Sequence, residues 1–536
     1  MKKKTVPVLV IAAGAFLYGY SAANGRDQLV LTLRSRPKPA AGCGQSVVTE
    51  TVKWQASRTA IIVCDMWDRH HCISAERRVA EMAPVMNDVL KCARDSGVFV
   101  IHAPSGCMDF YADTAQRRRA ENAPYAEAPV EFGWKRPDGD REQPMPVPSG
   151  CSCESPNPCG PSRGVWTRQT DLIEIAAEDA ISDSGQEVYN LMALRRIDNV
   201  ILMGVHTNIC VLGRPFGLRS MVSLGKNVVL CRDLTDSYHR GPGKHFEGLD
   251  KVIGHVEKFV CPSITSTGIT GTRQFRFKAD KRPRIVFVIG EDEYDAQKTL
   301  PEFAGELGNK YGFCCEFAQA VPRAAGEKQR NNISGMELLQ SGDLAVIYVR
   351  RRALPTEQMN YLRDFVDSGR PLIGLRTASH AFALRNRSPA PGYADWPEFD
   401  RQVLGGNYHG HHGNKSADGP RTYVWIKPGA ESHPIPAGVP DGEIHVRSWL
   451  YKVLPLAATT QVLMMGRVGE RRPHEPVAWT NIRPGGGRVF YTSLGHADDF
   501  KLEAFRRMLT NAVFWALGSQ GPGETNFTRE SHGHRH

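Results

Sequence analysis

Two α/β domains in tandem, each built on a doubly wound parallel sheet, are the architecture that three observations predict. Short β-branched apolar runs such as TAIIVCDMWD alternate with segments whose apolar residues recur at helical spacing. The rhythm stops in a polar Ser/Thr/Gly-rich stretch over 263–282 and then restarts at RIVFVIGED. At 536 residues the chain is too long for one core and suits two.

Composition removes several function classes. With 41% hydrophobic and 23% charged residues, the chain is neither a polytopic membrane protein nor mainly disordered. The formal charge of +10 is spread over many segments, so it speaks for solubility and no nucleic-acid partner is expected.

The elements follow in order. Met1-Lys2-Lys3-Lys4, an apolar run from Val6 to Tyr18 and Ser21-Ala22-Ala23 read as a signal peptide over 1–23, cleaved after Ala23. The alternative is an uncleaved anchor, since the stretch could just span a bilayer. Either way the chain is expected to be exported, periplasmic or extracellular. Residues 24–57 are polar and read as a mobile lead-in. The first domain covers 58–262. Its first strand ends at Asp65 and Asp68. A helix from Arg77 to Ser96 carries Val79, Met82, Val85, Met86, Val89 and Leu90 at helical spacing, and Gly97 closes it. VFVIHAPS is the next strand. Residues 105–165 are polar and Pro-rich, an insertion. Leu172–Ala176 reads as a strand, Glu187–Arg195 as a helix, NVILMGVH as a strand, Ile209–Gly225 as a helix and NVVLCRD as the last strand.

After the linker at 263–282, the second domain covers 283–518. RIVFVIG, FCCEFAQA, LAVIYVRR and PLIGLR are strands, with helices at Leu300–Tyr311 and Thr356–Ser368. TYVWIKP, QVLMMGRV, EPVAWTNI and GRVFYTSLG are later strands, and Leu502–Leu517 is a closing helix. Residues 519–536 form a His-rich disordered tail.

Thirteen cysteines in an exported chain make disulfides possible. Cys151, Cys153 and Cys159 share the loop CSCESPNPCGPSRG. A zinc knuckle needs four ligands and this loop offers three, so a disulfide or loop staple is the expectation. Cys314 and Cys315 read as core.

Ligands of open parallel sheets bind beyond the carboxyl ends of strands. Asp65 ends the first strand there, and Cys210 opens the helix after NVILMGVH. A helix N-terminus lowers a thiol pKa and favours the thiolate. Asp65 could take the thiol proton, and nearby N–H groups could hold an oxyanion. The competing reading of Cys210 is a small buried residue.

The segment GVHTNICV, with Asp65 in CDMWD, resembles the nucleophile region of the isochorismatase-like cysteine hydrolases, which include nicotinamidases, over residues 58–260. The resemblance implies a three-layer α/β/α fold, Cys210 as nucleophile, Asp65 as general base and a cis Val205–His206 peptide. The family's third residue is a Lys on the middle strand. Here LIEIAAEDAISD has none, and Glu178 or Ala177 falls nearest, so Glu178 takes that catalytic position. A carboxylate there would raise the thiol pKa.

Some members of that family hold a divalent metal near the Asp. Asp68, His70, His71 and His102 cluster here without matching that spacing, and they read as cleft-lining groups. His206, Asn208, Arg168, Arg214, Asp233 and Asp236 are further cleft candidates. Arg214, one helical turn after Cys210, either holds a substrate carboxylate or pairs with an Asp.

In the second domain, GLRTASHAF, LGGNYHGHH, ESHPIPAG, DGEIHVRSWLY, EPVAWT and GGGRVFYTSLGH together resemble the trehalose-utilisation (ThuA-like) family, which has the fold of class I glutamine amidotransferases. The amidotransferase nucleophile would follow PLIG, where this chain has Leu375-Arg376-Thr377 and no Cys. Arg376, Ser379, His380, His409, His411, His412, Glu443 and His496 are the residues expected to converge on a substrate or a metal.

Three readings follow. The first is an exported hydrolase of a small C–N or ester bond fused to a carbohydrate-related domain, with a small-molecule substrate that a carbohydrate derivative would fit. The second is a catalytically degenerate ligand-binding protein. The third places metal-dependent chemistry in the second domain alone. A divalent metal is the one cofactor left open, and a homo-oligomer is compatible with all three.

Overall fold

The computed structural model describes residues 27–36, 47–151, 153, 159, 166–240, 245–320, 330–413 and 421–519. The expected signal peptide and the His-rich tail beyond Ser519 lie outside the described residues.

The first sheet has eight strands in the order β2-β1-β8-β7-β6-β3-β4-β5. They are β1 (Gln28–Ser35), β2 (Val48–Gln55), β3 (Thr59–Cys64), β4 (Phe99–Ala103), β5 (Ala180–Ile181), β6 (Asn199–Val205), β7 (Asn227–Asp236) and β8 (Ser263–Ile264). Strands β3 to β8 run parallel. Every residue of β3 and of β6 is buried, as a sheet covered on both faces requires. Helix α1 (Ile73–Asp95) lays Val79, Met82, Met86, Val89, Leu90 and Ala93 against the core. It ends at Gly97, whose φ of 91° suits glycine. There Gly97 N–H donates to Arg94 O and Val98 N–H to Ala93 O, so the last turn's carbonyls are satisfied. Helices α2 (Gly185–Leu194) and α3 (His245–Phe259) complete the main layers.

Four expectations are corrected here. The lead-in is not all mobile: Leu29 and Leu31 of β1 point into the core, and β1 pairs with β2 as an antiparallel hairpin. The strand expected at 172–176 is β5, further on. The helix expected over 209–225 is a helical turn at Thr207–Val211 and a separate helix at Leu218–Ser223, interrupted before Gly217. The linker is ordered: it contains β8, and Ser266 and Phe275 N–H groups both donate to Asp233.

The second sheet has ten strands in the order β11-β10-β9-β12-β14-β20-β19-β18-β16-β17. They are β9 (Arg284–Gly290), β10 (Cys314–Ala320), β11 (Ile333–Ser334), β12 (Leu344–Val349), β14 (Leu372–Leu375), β16 (Thr422–Ile426), β17 (Ile444–Val446), β18 (Thr460–Val468), β19 (Arg471–Ile482) and β20 (Arg488–Thr492). A separate two-stranded pair joins β13 (Leu354–Pro355) to β15 (Tyr393–Ala394). The half from β10 to β20 is parallel; β19, β18, β16 and β17 extend it antiparallel. The second domain thus has the expected parallel core and adds an antiparallel extension to it. Helices α4 (Ala296–Tyr311), α5 (Thr356–Asp367) and α6 (Glu503–Ala516) pack on it, and apolar clusters lie on both its faces.

The β1–β2 hairpin joins the domains. Val47 belongs to the second core, and Thr51 Oγ1 lies 2.7 Å from Ser334 Oγ. Arg34 is buried between Glu257 of the first domain (2.7 Å) and Glu316 of the second (2.6 Å). Arg232 adds a further pairing to Glu316 at 3.4 Å.

Candidate active site

Asp65 follows the last residue of β3 with φ 50°, a left-handed backbone that aims its carboxyl back over the sheet end. The neighbouring strand β6 can approach because Gly204 carries no Cβ; one built there would overlap Cys64 O. The Asp65 carboxyl is fully buried. Ser105 N–H donates to its Oδ1 at 2.8 Å, and Arg214 Nε donates to its Oδ2 at 3.1 Å.

Cys210 sits in the turn Thr207–Val211, with the residue 7% exposed. Its thiol lies against the Asp65 carboxyl, and the His206 N–H points at the sulfur. The Val205–His206 peptide is cis. Burial pushes the thiol up to about 12; Asp65 raises it further, while Arg214 and the His206 N–H pull against them. This corrects the expectation of a resting thiolate: desolvation outweighs the helix-end field. Burial also raises the Asp65 carboxyl, and Arg214 and Ser105 oppose that rise.

Arg214 thus supplies the cation that the middle strand lacks. Its guanidinium lies 5.7 Å from the Trp134 ring centroid, on the inserted segment that Lys135 N–H ties to Gly213 O. Trp134 was not singled out in the sequence, because nothing in a polar insertion marks which aromatic folds back. Glu178 does not take the Lys position. It is exposed, and the cation it faces is Arg195. Its neighbour Asp179 is the inward residue, bound to Arg94 at 2.7 Å and His102 at 3.0 Å.

Several expected cleft residues hold the scaffold instead. His102 is fully buried between Gln169 and Asp179. Asp68 accepts from Thr167 N–H, Thr167 Oγ1 and Arg168 N–H, fastening that segment. The Arg168 side chain pairs with Asp171. Asn208 bridges both backbone groups of Tyr238. Asp233 anchors the former linker, and Asp236 is buried between Arg78 and His245. His70 and His206 do meet, Nε2 to Nε2 at 3.2 Å, and His71 Nε2 lies 3.0 Å from Tyr238 OH. Burial holds His206 down at about 3, so its ring is neutral. Trp67 and Trp166 stack at 4.0 Å beside them and close this histidine wall.

In the second domain, Arg376 occupies the turn after β14 with φ 43° and is fully buried. Its Nη1 donates to Ser493 O, and its guanidinium lies 4.2 Å from the Tyr294 ring centroid and 5.1 Å from that of Tyr451. Ser379 Oγ is 3.1 Å from His380 Nδ1, and His380 stacks on Tyr408 at 4.3 Å. Burial, then Arg351 and Arg350, hold His380 well below its usual pKa. His496 faces Tyr294 edge-on. A cleft of about 530 Å³ opens beside them, lined among others by Arg351, His380, Arg385, Asp400, Tyr408 and His409.

Of the other expected residues, His409 and His411 also line this cleft, while His412 and Glu443 lie outside its lining. His409 Nδ1 donates to Asn407 O, His411 packs edge-on against Trp449, and His412 binds Glu475 at 2.9 Å. Glu443 lies on the exposed rim of another depression, paired with Arg467. The tyrosines and Arg351 were missed because the residues around them carry no spacing signal.

Residues 285–516 match the family model described as ThuA, trehalose utilisation. The match spans nearly all of the second domain. Among solved structures, a ThuA-like protein from Parabacteroides merdae is 18% identical, covering 45% of this chain and 92% of its own, with a TM-score of 0.35. A cysteine hydrolase from Pseudomonas syringae pv. phaseolicola is 16% identical, covering 41% and 95%, at 0.25. An isochorismatase family protein from Burkholderia thailandensis is 13% identical, covering 40% and 95%, at 0.23. The chain is therefore similar to ThuA-like proteins in its C-terminal part and to isochorismatase-family cysteine hydrolases in its N-terminal part. No curated protein matches it.

Proposed function

We propose that the first domain hydrolyses a small amide or ester through Cys210. The observation that supports this reading is the convergence of Cys210, Asp65 and Arg214 at one strand end. In the resting site Cys210 is a thiol beside a carboxylate. As Sγ attacks the substrate carbonyl carbon, its proton moves to Asp65, so no free thiolate has to accumulate. The His206 N–H, already aimed at the sulfur, is placed to stabilise the developing charge. Collapse of the adduct breaks the C–N or C–O bond, and Asp65 returns the proton to the leaving group. Water then attacks the thioester, giving its proton to Asp65, and the acid leaves as the Cys210 thiol is re-formed. Arg214 opposes the burial that raises the Asp65 carboxyl and so favours its ionised form between proton transfers.

The ThuA region would bind a sugar derivative. Its cleft sets Arg351, Arg385 and Arg401 against Glu398 and Asp400, and burial pushes Asp400 up to about 7. The excess of cations favours an anionic sugar, and Tyr408 offers a ring face to its carbons. Export and a small-molecule substrate belong to the same proposal.

Wild type and Cys210→Ala assayed on a panel of small amides and esters, with mass spectrometry of quenched reactions, test the hydrolase. An acyl adduct on the Cys210 peptide and loss of turnover in the variant are expected. Unchanged turnover would remove Cys210 from the mechanism; no turnover in the wild type would leave the second reading, a binding protein, which the deep burial of Cys210 favours.

A further inference from the structure

We propose that Cys72, Cys151, Cys153 and Cys159 bind one zinc ion as a closed tetrathiolate site. The sequence shows three cysteines in one loop. The fold adds a fourth, Cys72, from the residue before α1, 79 positions away from Cys151.

The geometry separates a metal site from a disulfide pair. All four Sγ atoms lie within 4.8 Å of one another. Cys72 to Cys151 is 3.3 Å, Cys72 to Cys153 3.4 Å, Cys153 to Cys159 3.4 Å and Cys151 to Cys159 3.6 Å. A tetrahedral ion with metal–sulfur bonds of ~2.3 Å sets its sulfurs about 3.8 Å apart. Two disulfides would draw the sulfurs into two close pairs at about 2.05 Å. Here each sulfur has two neighbours at nearly equal distance, so neither pairing is favoured.

The backbone is a second, independent sign. Ile73 N–H donates to Cys159 Sγ, Ser74 N–H to Cys153 Sγ and Cys153 N–H to Cys151 Sγ, each at 3.4 Å. The first two donors belong to the opening turn of α1, a 23-residue helix whose leading N–H groups have no partner within the helix. Four thiolates around a divalent zinc leave a net charge of −2. The positive end of a long helix and three N–H donors are what such a charge needs. All four ligand positions are filled by protein, so the ion would have no open site for substrate and its role is structural.

That role reaches the first-domain cleft. Cys72 follows His70 and His71 directly, and Cys72 N–H donates to His70 Nδ1. His70 in turn meets His206, the residue that leads into the Cys210 turn. The ion would tie the 151–159 segment to the start of α1 and hold the histidine wall in place. Loading releases four thiol protons and adds its binding free energy to folding.

The test uses the full purified chain and needs no substrate. Elemental analysis should find about one zinc per chain, and X-ray absorption a first shell of four sulfurs at ~2.3 Å. Chelator treatment should expose four further thiols to a colorimetric reagent. Cys72→Ser and Cys159→Ser should each lower retained zinc at least tenfold, while Cys92→Ser, outside the cluster, leaves it at one. If both ligand variants fail to fold, the wild-type stoichiometry and thiol count still decide. Disulfides mapped among these four cysteines, iron in place of zinc, or no metal in the folded chain would overturn the proposal.

Discussion

Arg214 reaches back from the turn after Cys210 and sets its Nε 3.1 Å from Asp65 Oδ2, across 149 residues of sequence. A cation on the helix side of the cleft thus faces the Asp65 carboxyl. Asp65 is buried, and Arg214 is the charge that opposes burial's upward pull on it. In Arg214→Gln the carboxyl should therefore stay protonated to higher pH. The acidic limb of the kcat/KM–pH profile should move up by at least one unit, with activity at neutral pH down ten-fold or more. Arg214→Lys should restore part of both. A profile unchanged in Arg214→Gln would remove Arg214 from this role.

Asp65 opposes the ionisation of Cys210, which gives a prediction of opposite signs. With the thiol near 12, on the order of one molecule in 10⁵ is thiolate at pH 7. Iodoacetamide should therefore label Cys210 slowly at neutral pH, with the rate still climbing above pH 9. Removing the neighbouring negative charge in Asp65→Asn lowers the thiol pKa, so alkylation at pH 8 should speed up several-fold while turnover is lost. Alkylation slowed along with turnover would contradict the charge argument.

The chemistry-bearing ends of the strands were legible where chain order and space coincide. Asp65 and Cys210 each stand just beyond a buried apolar strand, and the strand pattern alone puts them on one edge of the sheet. Contacts between distant segments were not. Arg214 was marked as a cleft residue, yet its choice of Asp65 over Asp233 or Asp236 depends on the direction of a turn that breaks the expected helix. Glu178 and Asp179 differ by one position, and adjacent residues near a strand face opposite ways, so the sequence does not tell which of the two points inward. The β1 alternation Leu29, Leu31, Leu33 was present in the sequence, but polar neighbours masked it. Cys72 could not be joined to the loop cysteines by any count of spacing.

The buried ion pairs of Glu257, beside the domain junction, make part of the acid stability depend on one carboxylate. Burial alone would raise the Glu257 carboxyl, but Arg34, Arg36 and Arg232 outweigh it and hold it at about 2. Its unfolded value is near 4.5, so the folded state releases this proton more readily. The stabilisation is complete above pH 4.5 and is lost as pH falls towards 2. Glu257→Gln leaves Arg34 with one partner fewer in a buried setting, at a cost of about 3–5 kcal/mol. Thermal unfolding at pH 7 should show a lower Tm for the variant, and the gap to wild type should shrink between pH 4.5 and 3. A gap that stays constant with pH would refute the assignment to Glu257 ionisation.

The ThuA-region cleft predicts a preference for charge. Arg351 lines it, with Nη1 anchored on Ala383 O, and its charge is among those that keep His380 neutral. A carboxylated or phosphorylated monosaccharide should bind at least tenfold more tightly than the uncharged parent sugar by titration calorimetry. Binding should weaken as salt rises, because the ligand charge meets a partly open site. Arg351→Ala should lose about tenfold for the charged ligand and little for the neutral one. Loss of a guanidinium also raises the His380 pKa, so in the variant His380 should titrate closer to neutrality by NMR. Equal loss for both ligands would show that Arg351 shapes the cleft without reading charge.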